Sequence, residues 1–235
     1  MDDPAVVLFD LDDTILDFSW NQSEAWLATC VEASGETETE PHALHAAIQQ
    51  QARAFWSDHD RAERGRRDLR AASAEIIAAA FAALDVTARP ELAREMAEGY
   101  RTRRDAGHRL FEGATDVLRA MRAQGRRLGL VTNGTSEEQR GKIDRFGLEG
   151  FFDHIQIEGE FGLGKPHDAA YRHALESLSV DPASTWFVGD NLEWDVAAPQ
   201  RHGIFGIWVD VRSTGLPEGG SHAPDRVVHR ITDLL

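Results

Sequence analysis

Two carboxylates directly follow a short apolar run near the start of the chain, in the segment VVLFDLDDT at residues 6–14. The run from Val6 to Phe9 is typical of a buried parallel strand, because such a strand is covered by apolar packing on both faces. Asp10 and Asp12 would then lie at its carboxyl end, where open α/β sheets bind ligands. Two carboxylates this close repel each other unless a cation neutralises them. The segment therefore predicts a site for a hard divalent ion such as Mg²⁺.

Three later segments also place reactive residues at the end of an apolar stretch or in a tight turn. LGLVTNG at 128–134 carries Thr132 and Asn133, whose hydroxyl and backbone N–H groups could hold phosphate oxygens. GKP at 164–166 carries Lys165, one of two lysines in the chain, which could neutralise both a carboxylate and a phosphoryl group. WFVGDNLEWD at 186–195 supplies Asp190 and Asp195, which could approach one metal ion. Together the four segments predict the transfer of a phosphoryl group to an aspartate.

The elements that must position these residues are predicted from apolar patterns that alternate after residue 107. Strands are predicted at 128–132, 152–157, 185–188 and 204–209, and helices at 110–122, 136–146, 167–178 and 196–202. Strand and helix in alternation indicate a parallel sheet with right-handed crossovers. We therefore predict an α/β fold with a doubly wound, Rossmann-like core. Pro199 falls inside the last helix and should delay or kink it.

A helical block interrupts this pattern between residues 18 and 106. Its many Ala, Glu and Arg residues, and its apolar residues at helical spacing, predict about four helices. The chain is therefore expected to form an α/β catalytic core from residues 1–17 and 107–235, with an α-helical cap inserted at 18–106. An insertion directly after the first strand is placed to act as a lid over the carboxyl end of that strand.

Composition limits the partners that the protein could have. A formal net charge of −15 opposes binding to nucleic acids but leaves small phosphate esters as plausible substrates. No apolar stretch reaches the length of a membrane span, the first residues are acidic rather than signal-like, and Cys30 is the single cysteine. We expect a cytoplasmic protein, a monomer or homodimer, whose partner is a small-molecule phosphate ester and neither nucleic acid nor membrane.

In their order along the chain, the motifs resemble those of the haloacid dehalogenase superfamily. The residues that carry the resemblance are Asp10, Asp12, Thr14, Thr132, Lys165, Asp190 and Asp195. A DxDxT motif alone is a weak match, but four motifs in the same order, each at a strand end or helix start, rarely coincide by chance. The helical insertion resembles the cap of the small-cap phosphatases, subfamily I, so the resemblance spans nearly the whole chain.

Side-chain chemistry and the resemblance together imply catalytic roles. Asp10 is expected to be the nucleophile that attacks phosphorus and becomes an aspartyl phosphate. Asp12, two residues further along extended backbone, faces the same side and is expected to protonate the leaving alcohol and later deprotonate water. Lys165 is expected to be the third catalytic residue, because its ammonium neutralises the charges at the reacting centre. Alternatively, the acidic pair could form a surface turn and Lys165 could be a solvated loop lysine.

The same resemblance implies how the phosphate and the metal are held. Thr132, with Asn133 beside it, is expected to bind the phosphoryl group, although TNGT alone is also typical of a simple turn. Mg²⁺ is the expected cofactor, bound by Asp10, by the backbone carbonyl of Asp12, by Asp190 and, less directly, by Asp195. An ordinary helix cap is the alternative for Asp195.

Substrate selection is predicted to lie in the cap. DRAERGRRDLR at 60–70 concentrates five arginines, of which Arg67 and Arg70 are the candidates for contacting a second anionic group of the substrate. The alternative is a solvated arginine face paired with neighbouring acidic residues. Trp20, Trp26 and Trp56 could stack on a base or sugar, or they could form the core of the cap.

Three functions are compatible with these motifs. The first is a Mg²⁺-dependent phosphatase of small phosphomonoesters, which needs the acid that Asp12 provides. The second is a 2-haloacid dehalogenase-type hydrolase of the same fold, which would need neither this acid nor a metal, because halide leaves without protonation. The third is a non-catalytic regulatory protein that carries phosphate on an aspartate, for which a large helical lid has no evident use. The first is the expected function.

Overall fold

The strands of the core lie on both sides of the buried apolar run Val6–Phe9. A computed structural model describes residues 4–217, 219 and 223–235, except the side chains at 63, 66 and 67. Its strands are β1 (Val6–Phe9), β2 (Leu16–Asp17), β3 (Arg109–Leu110), β4 (Arg127–Thr132), β5 (His154–Ile157), β6 (Thr185–Gly189), β7 (Phe205–Val209) and β8 (Arg226–Val228). Six of them form one sheet in the order β5-β4-β1-β6-β7-β8, and all neighbours in it are parallel.

β1 lies at the centre of this sheet, and all four of its residues are buried. From β1 the sheet extends through β4 to β5 on one side and through β6 and β7 to β8 on the other, so the strand order reverses at β1. Such a reversal forms a crevice at the carboxyl ends of the strands, where doubly wound folds bind ligands. The predicted fold class is confirmed, and β8 is an edge strand that the sequence patterns did not predict.

The helices of the core connect these strands. They are α6 (Ala114–Ala123), α7 (Ser136–Arg145), α8 (Glu158–Phe161), α9 (Asp168–Ser177) and α10 (Ala198–Gln200), in chain order after the five helices of the inserted block. The helix predicted from residue 110 begins only at Ala114, because residues 109 and 110 form β3 and pair with β2 in an antiparallel ribbon. The helix predicted from 196 instead begins as a π-helical turn at Leu192, and Pro199 lies in the first turn of α10, where no N–H is needed.

The chain divides into two compact units, one formed by residues up to Asp17 together with Arg109–Leu235, and the other by Phe18–His108. The second unit contains α1 (Gln22–Thr37), α2 (Pro41–Ser57), α3 (His59–Arg67), α4 (Leu69–Ala83) and α5 (Leu92–Gly107), where about four helices are predicted. The side chains of Asp58 and Asp68 cap α3 and α4. Among the described helices, none combines the length and the apolar character needed to cross a bilayer.

A single apolar cluster holds the helices of the second unit together. Leu44, Ile48 and Ile77 are among its fully enclosed side chains, and Trp26 packs against it. The Trp26 ring also stacks on Tyr100, with 3.7 Å between ring centroids and 11° between ring planes. Trp26 therefore belongs to the packing of this unit. Trp20 and Trp56 are 45% and 40% exposed, so stacking on a substrate stays a prediction for these two.

Candidate active site

Asp10 follows β1 at the carboxyl edge of the sheet. Its backbone N–H donates to the carbonyl of Val188 at 2.9 Å, which extends the pairing of β1 with β6 by one residue. The carboxylate is buried, and its Oδ1 accepts a hydrogen bond of 2.7 Å from Nζ of Lys165. Burial raises the pKa of Asp10 to about 7, although the Lys165 ammonium opposes this rise. The predicted nucleophile is therefore a buried carboxylate with a fixed cation beside it.

The Lys165 ammonium bridges two carboxylates. Nζ lies 2.7 Å from Oδ1 of Asp10 and 2.7 Å from Oδ1 of Asp195, and the side chain is buried. Burial alone would lower the pKa of Lys165, but the charges of Asp10 and Asp195 reverse this effect and hold the pKa above its ordinary value. Lys165 thus stays protonated and offsets part of the negative charge of the site, and because it is buried it is not a solvated loop lysine.

The loop that carries Lys165 is fixed by Asn133. The Asn133 amide donates from Nδ2 to the backbone carbonyl of Lys165 at 2.7 Å, and its Oδ1 accepts from the Lys165 backbone N–H at 2.8 Å. A Cβ at Gly164 would lie 2.8 Å from Oδ1 of Asn133, so this turn requires glycine. The peptide bond between Lys165 and Pro166 is cis. Substrate contact by Asn133 stays a prediction, and the contact that its side chain makes positions Lys165.

Asp190 and Asp195 complete a cluster of carboxylates at the end of β6. Asp195 is buried, and besides Lys165 it accepts a hydrogen bond of 3.0 Å from the backbone N–H of Asn191. Asn191, not Asp195, caps the π-helical turn, because its side chain accepts from the N–H groups of Glu193 and Trp194. Burial, together with the charges of Asp10 and Asp195, raises the pKa of Asp190 to about 8.

These carboxylates suit a divalent cation. Asp10, Asp190 and Asp195 each offer an oxygen, and the three oxygens lie within 4.8 Å of one another. When all three carboxyl groups are ionised, they carry three negative charges, of which the ammonium of Lys165 balances one. The site therefore has a surplus of negative charge away from bulk solvent. Burial is the main cause that raises the pKa values of Asp10 and Asp190, and the negative charges of neighbouring carboxylates raise them further. Buried charges of one sign need a counterion, and carboxylate oxygens are ligands that Mg²⁺ accepts, so the residues present fit the predicted cofactor.

The model of the haloacid dehalogenase-like hydrolase family matches residues 4–203, which include the carboxylate cluster, Asp12, Thr132 and Lys165. The chain belongs to this family. The predicted superfamily is therefore confirmed.

Several known proteins resemble the chain to different extents. A phosphoserine phosphatase from Thermus thermophilus is 39% identical over 62% of this chain, which spans only 56% of that relative. A glyceraldehyde 3-phosphate phosphatase from Methanopyrus kandleri is 27% identical over 97% of this chain and 94% of its own length. The crystal structure of the HAD-hydrolase YfnB from Bacillus subtilis, bound to magnesium, superposes with a TM-score of 0.74, covers 99% of this chain and 97% of its own, and is 24% identical.

In this haloacid dehalogenase-like hydrolase, the carboxylate of Asp12 lies outside the three-carboxylate cluster. Its two oxygens are 2.9 and 2.7 Å from Nζ of Lys142, and Oδ2 also accepts from Nε2 of Gln139 at 3.1 Å. Metal contact through the backbone carbonyl of Asp12 stays a prediction. Sequence reasoning missed Lys142 and Gln139, although one signal was present, since Lys142 is the only lysine besides Lys165.

Thr132 ends β4 beside these residues. It is buried, and in the described residues its hydroxyl makes a single long contact, 3.4 Å to the backbone carbonyl of Asn133. A hydroxyl without a short hydrogen bond can donate to an incoming phosphate oxygen at little cost. Phosphate binding by Thr132 stays a prediction that agrees with this geometry.

The predicted arginines of the cap lie in the helical unit. Arg70 is 62% exposed and lies 3.9 Å from Glu98, whereas Arg61 and Arg64 pair with Glu75 at 3.5 and 3.3 Å. These partners differ from the neighbouring acidic residues that the alternative assumed, because Asp58 and Asp68 cap helices instead. The side chain of Arg67 lies outside the described residues. Substrate contact by either arginine stays a prediction.

Proposed function

We propose that the protein is a Mg²⁺-dependent phosphatase that hydrolyses small phosphomonoesters through an aspartyl phosphate on Asp10. One observation carries the proposal: a buried Asp10 carboxylate is hydrogen-bonded by the Lys165 ammonium at 2.7 Å inside a cluster of three carboxylates. Asp10 is therefore a nucleophile with a fixed positive charge beside it. The site as a whole still carries more negative than positive charge, so a phosphate dianion needs a further cation to bind there.

The first half of the reaction is assigned to Asp10 and Asp12. Within the described residues, Oδ1 of Asp10 is occupied by Lys165 and Oδ2 has no hydrogen-bond partner, so Oδ2 is the atom that attacks phosphorus. A bond forms between Oδ2 and phosphorus, and the bond from phosphorus to the alcohol oxygen breaks. Asp12 delivers its proton to that oxygen, so the alcohol leaves neutral. Thr132 donates its hydroxyl to a phosphoryl oxygen.

The second half regenerates the enzyme. Water attacks the phosphorus of the aspartyl phosphate, Asp12 accepts the proton that the water loses, and inorganic phosphate leaves Asp10 as a free carboxylate. Lys165 stays protonated throughout, because two carboxylates face it. Bound by Asp10, Asp190 and Asp195, Mg²⁺ would supply the positive charge that the substrate phosphate needs. The magnesium-bound structure of YfnB, which shares the fold, supports this cofactor.

A small phosphorylated metabolite is the proposed substrate. The relatives from Thermus and Methanopyrus are named for two such esters, phosphoserine and glyceraldehyde 3-phosphate. Both are compact molecules with a second polar group, and neither is a polynucleotide. We propose that the helical unit, Phe18–His108, selects among such alcohols, because the core residues act on the phosphoryl group that all of them share.

Phosphate release from a panel of phosphorylated metabolites tests this function. With Mg²⁺ present, the protein should release phosphate from at least one small ester, and Asp10→Asn should abolish release. A parallel assay with a 2-haloalkanoic acid, scored by halide release, tests the dehalogenase alternative. Halide release without phosphate release would overturn the proposal in favour of that alternative. A stable phosphoprotein without turnover would point to the regulatory alternative.

A further inference from the structure

Helix α7 presents two side chains to the carboxylate of Asp12. Gln139 and Lys142 are three residues apart, so they lie on one face of the helix. Both are buried, Lys142 with 10% of its side chain exposed. Lys142 is close to both oxygens of Asp12, whereas Gln139 donates only to Oδ2. The predicted acid and base of the reaction is therefore held by a helix that follows β4, about 130 residues away in sequence.

The amide of Gln139 also ties Asp12 to the Lys165 loop. Its Nε2 donates to the backbone carbonyl of Asn133 at 2.5 Å, while the Asn133 side chain holds the backbone of Lys165. Two acceptors, on Asp12 and Asn133, fix the nitrogen end of the amide, and its buried Oε1 has no hydrogen-bond partner within the described part of the chain. A continuous series of hydrogen bonds thus links Asp12, through Gln139 and Asn133, to Lys165 and from there to Asp10.

The two oxygens of Asp12 are not equivalent. A carboxylate oxygen offers two lone pairs to donors. Oδ2 accepts from both Lys142 at 2.7 Å and Gln139 at 3.1 Å, so both of its lone pairs are engaged. Among the residues that the structure describes, Oδ1 accepts only from Lys142, at 2.9 Å, which leaves one of its lone pairs available. Geometry alone therefore leaves one place on this carboxyl group where a proton can be carried and exchanged.

We propose that Lys142 is a positioning residue that, with Gln139, orients Asp12 so that Oδ1 exchanges protons with the leaving alcohol and the attacking water. This inference rests on the proposed phosphatase function. In the first step the Oδ1–H bond breaks as the alcohol oxygen gains the proton, and in the second step the proton returns to Oδ1 from water. Lys142 itself neither gains nor loses a proton.

Lys142→Met tests the proposal through its dependence on the leaving group. An alkoxide needs a proton to leave, whereas p-nitrophenolate does not, so a misplaced acid slows the two substrates unequally. We expect kcat for the best alkyl phosphate of the metabolite panel to fall about 10- to 100-fold, KM to change little, and kcat for p-nitrophenyl phosphate to fall less than about 5-fold. Lys142→Arg should restore part of the alkyl rate, because a cation with hydrogen-bond donors is retained.

A matched control is available on the same helix. Arg140→Met removes a cation from α7 as Lys142→Met does, but Arg140 pairs with Glu160 at 2.7 Å and does not contact Asp12. This variant should retain the alkyl-to-aryl rate ratio of the parent protein. A similar change in that ratio for both variants would overturn the specific role of Lys142.

A double-mutant cycle separates positioning from a merely structural role. If Lys142 acts through Asp12, then Lys142→Met should cause no further loss of alkyl turnover in an Asp12→Asn background. The double variant also avoids leaving the partly buried carboxylate of Asp12 without its cation, a change that can prevent the single variant from folding. If Lys142→Met fails to fold, the alkyl-to-aryl rate ratio is measured for Lys142→Arg and Gln139→Leu instead.

The outcomes separate this inference from the function on which it rests. Equal slowing of alkyl and aryl esters, or independent losses from Asp12→Asn and Lys142→Met, would refute the positioning role while leaving the phosphatase intact. Absence of phosphate release from every ester by the parent protein would instead refute the proposed function, and the inference with it.

Discussion

Gly189→Ala should damage the site although it replaces none of the charged residues. Gly189 is the last residue of β6, and a Cβ built there would lie 2.3 Å from both Cγ and Oδ2 of Asp195. The carboxylate cannot easily give way, because Lys165 holds its Oδ1, Asn191 holds its Oδ2 and only 1% of the residue is exposed. We expect the methyl group to push Asp195 off Lys165 and out of the carboxylate cluster.

The size of the effect follows from two contributions. Overpacking a buried site costs about 1–3 kcal/mol, and losing a hydrogen bond to a charged group costs about 1.5–3 kcal/mol. The smaller conformational freedom of alanine in the unfolded chain offsets about 0.4–1 kcal/mol. Because the contributions share Asp195 and are not additive, we expect the free energy of unfolding to fall by roughly 2–4 kcal/mol.

Urea unfolding, followed with and without Mg²⁺, measures this change. Gly141→Ala is the matched control, since Gly141 lies inside α7 and a Cβ there meets no atom within 4 Å. That variant should gain about 0.5–1 kcal/mol, because alanine favours a helix interior. Mg²⁺ should bind Gly189→Ala more weakly than the parent protein and Gly141→Ala equally well. Our account of the crowding at Asp195 is wrong if both alanine variants unfold at the same urea concentration and bind Mg²⁺ alike.

Three further predictions concern the nucleophile, the metal and the cap. Asp10→Asn should keep less than about 1% of turnover, because an amide cannot attack phosphorus, and phosphate release above that level would remove Asp10 as the nucleophile. The raised pKa values of Asp10 and Asp190, about 7 and 8, imply that the metal-free protein loses stability as pH rises from the ordinary aspartate pKa of 3.8 up to these values. Mg²⁺ should therefore release protons on binding, bind more tightly at pH 8 than at pH 6, and restore the activity that a chelator removes. Calorimetry in buffers of different ionisation enthalpy measures the proton release and the affinity, and an affinity that does not change with pH would contradict this prediction. Arg70→Ala should lower kcat/KM for the best ester more than for p-nitrophenyl phosphate, by about 1–3 kcal/mol. Arg64 pairs with Glu75, so Arg64→Ala should lower kcat/KM equally little for both substrates.

The core of the fold could be predicted because its signals are local. A continuous apolar run identifies β1, and the alternation of strands and helices after residue 107 indicates the parallel sheet. β8 escaped prediction because an edge strand of three residues has too few positions to show a period. The π-helical turn at Leu192 was missed for a similar reason, since its hydrogen bonding leaves no pattern in the apolar residues.

Part of the site depends on contacts that no local pattern records. Asp10, Lys165, Asp190 and Asp195 follow strand ends or a glycine turn, so their convergence at one sheet edge could be expected. In the structure Lys165 hydrogen-bonds Asp10 and Asp195, and the three carboxylates have oxygens within 4.8 Å of one another. The ion pair between Asp12 and Lys142 depends on how α7 packs beside the loop after β1. That packing is set by tertiary structure, and no local sequence pattern near either residue predicts it. Asn133 shows the same limit, because its predicted partner was a phosphate and its observed partner is the backbone of Lys165.

The antiparallel ribbon of β2 and β3 has a practical meaning for protein engineering. It pairs Asp17 with Arg109, and their side chains also form an ion pair of 2.7 Å, so the two points where the chain leaves and re-enters the core are neighbouring strand residues. Adjacent antiparallel strands lie about 5 Å apart, a gap that a two-residue turn can close. Residues 18–108 can therefore be regarded as an exchangeable module. If the helical unit selects the substrate as proposed, grafting the corresponding segment of a relative between Asp17 and Arg109 should move selectivity between the proteins while the junction keeps its own pairing.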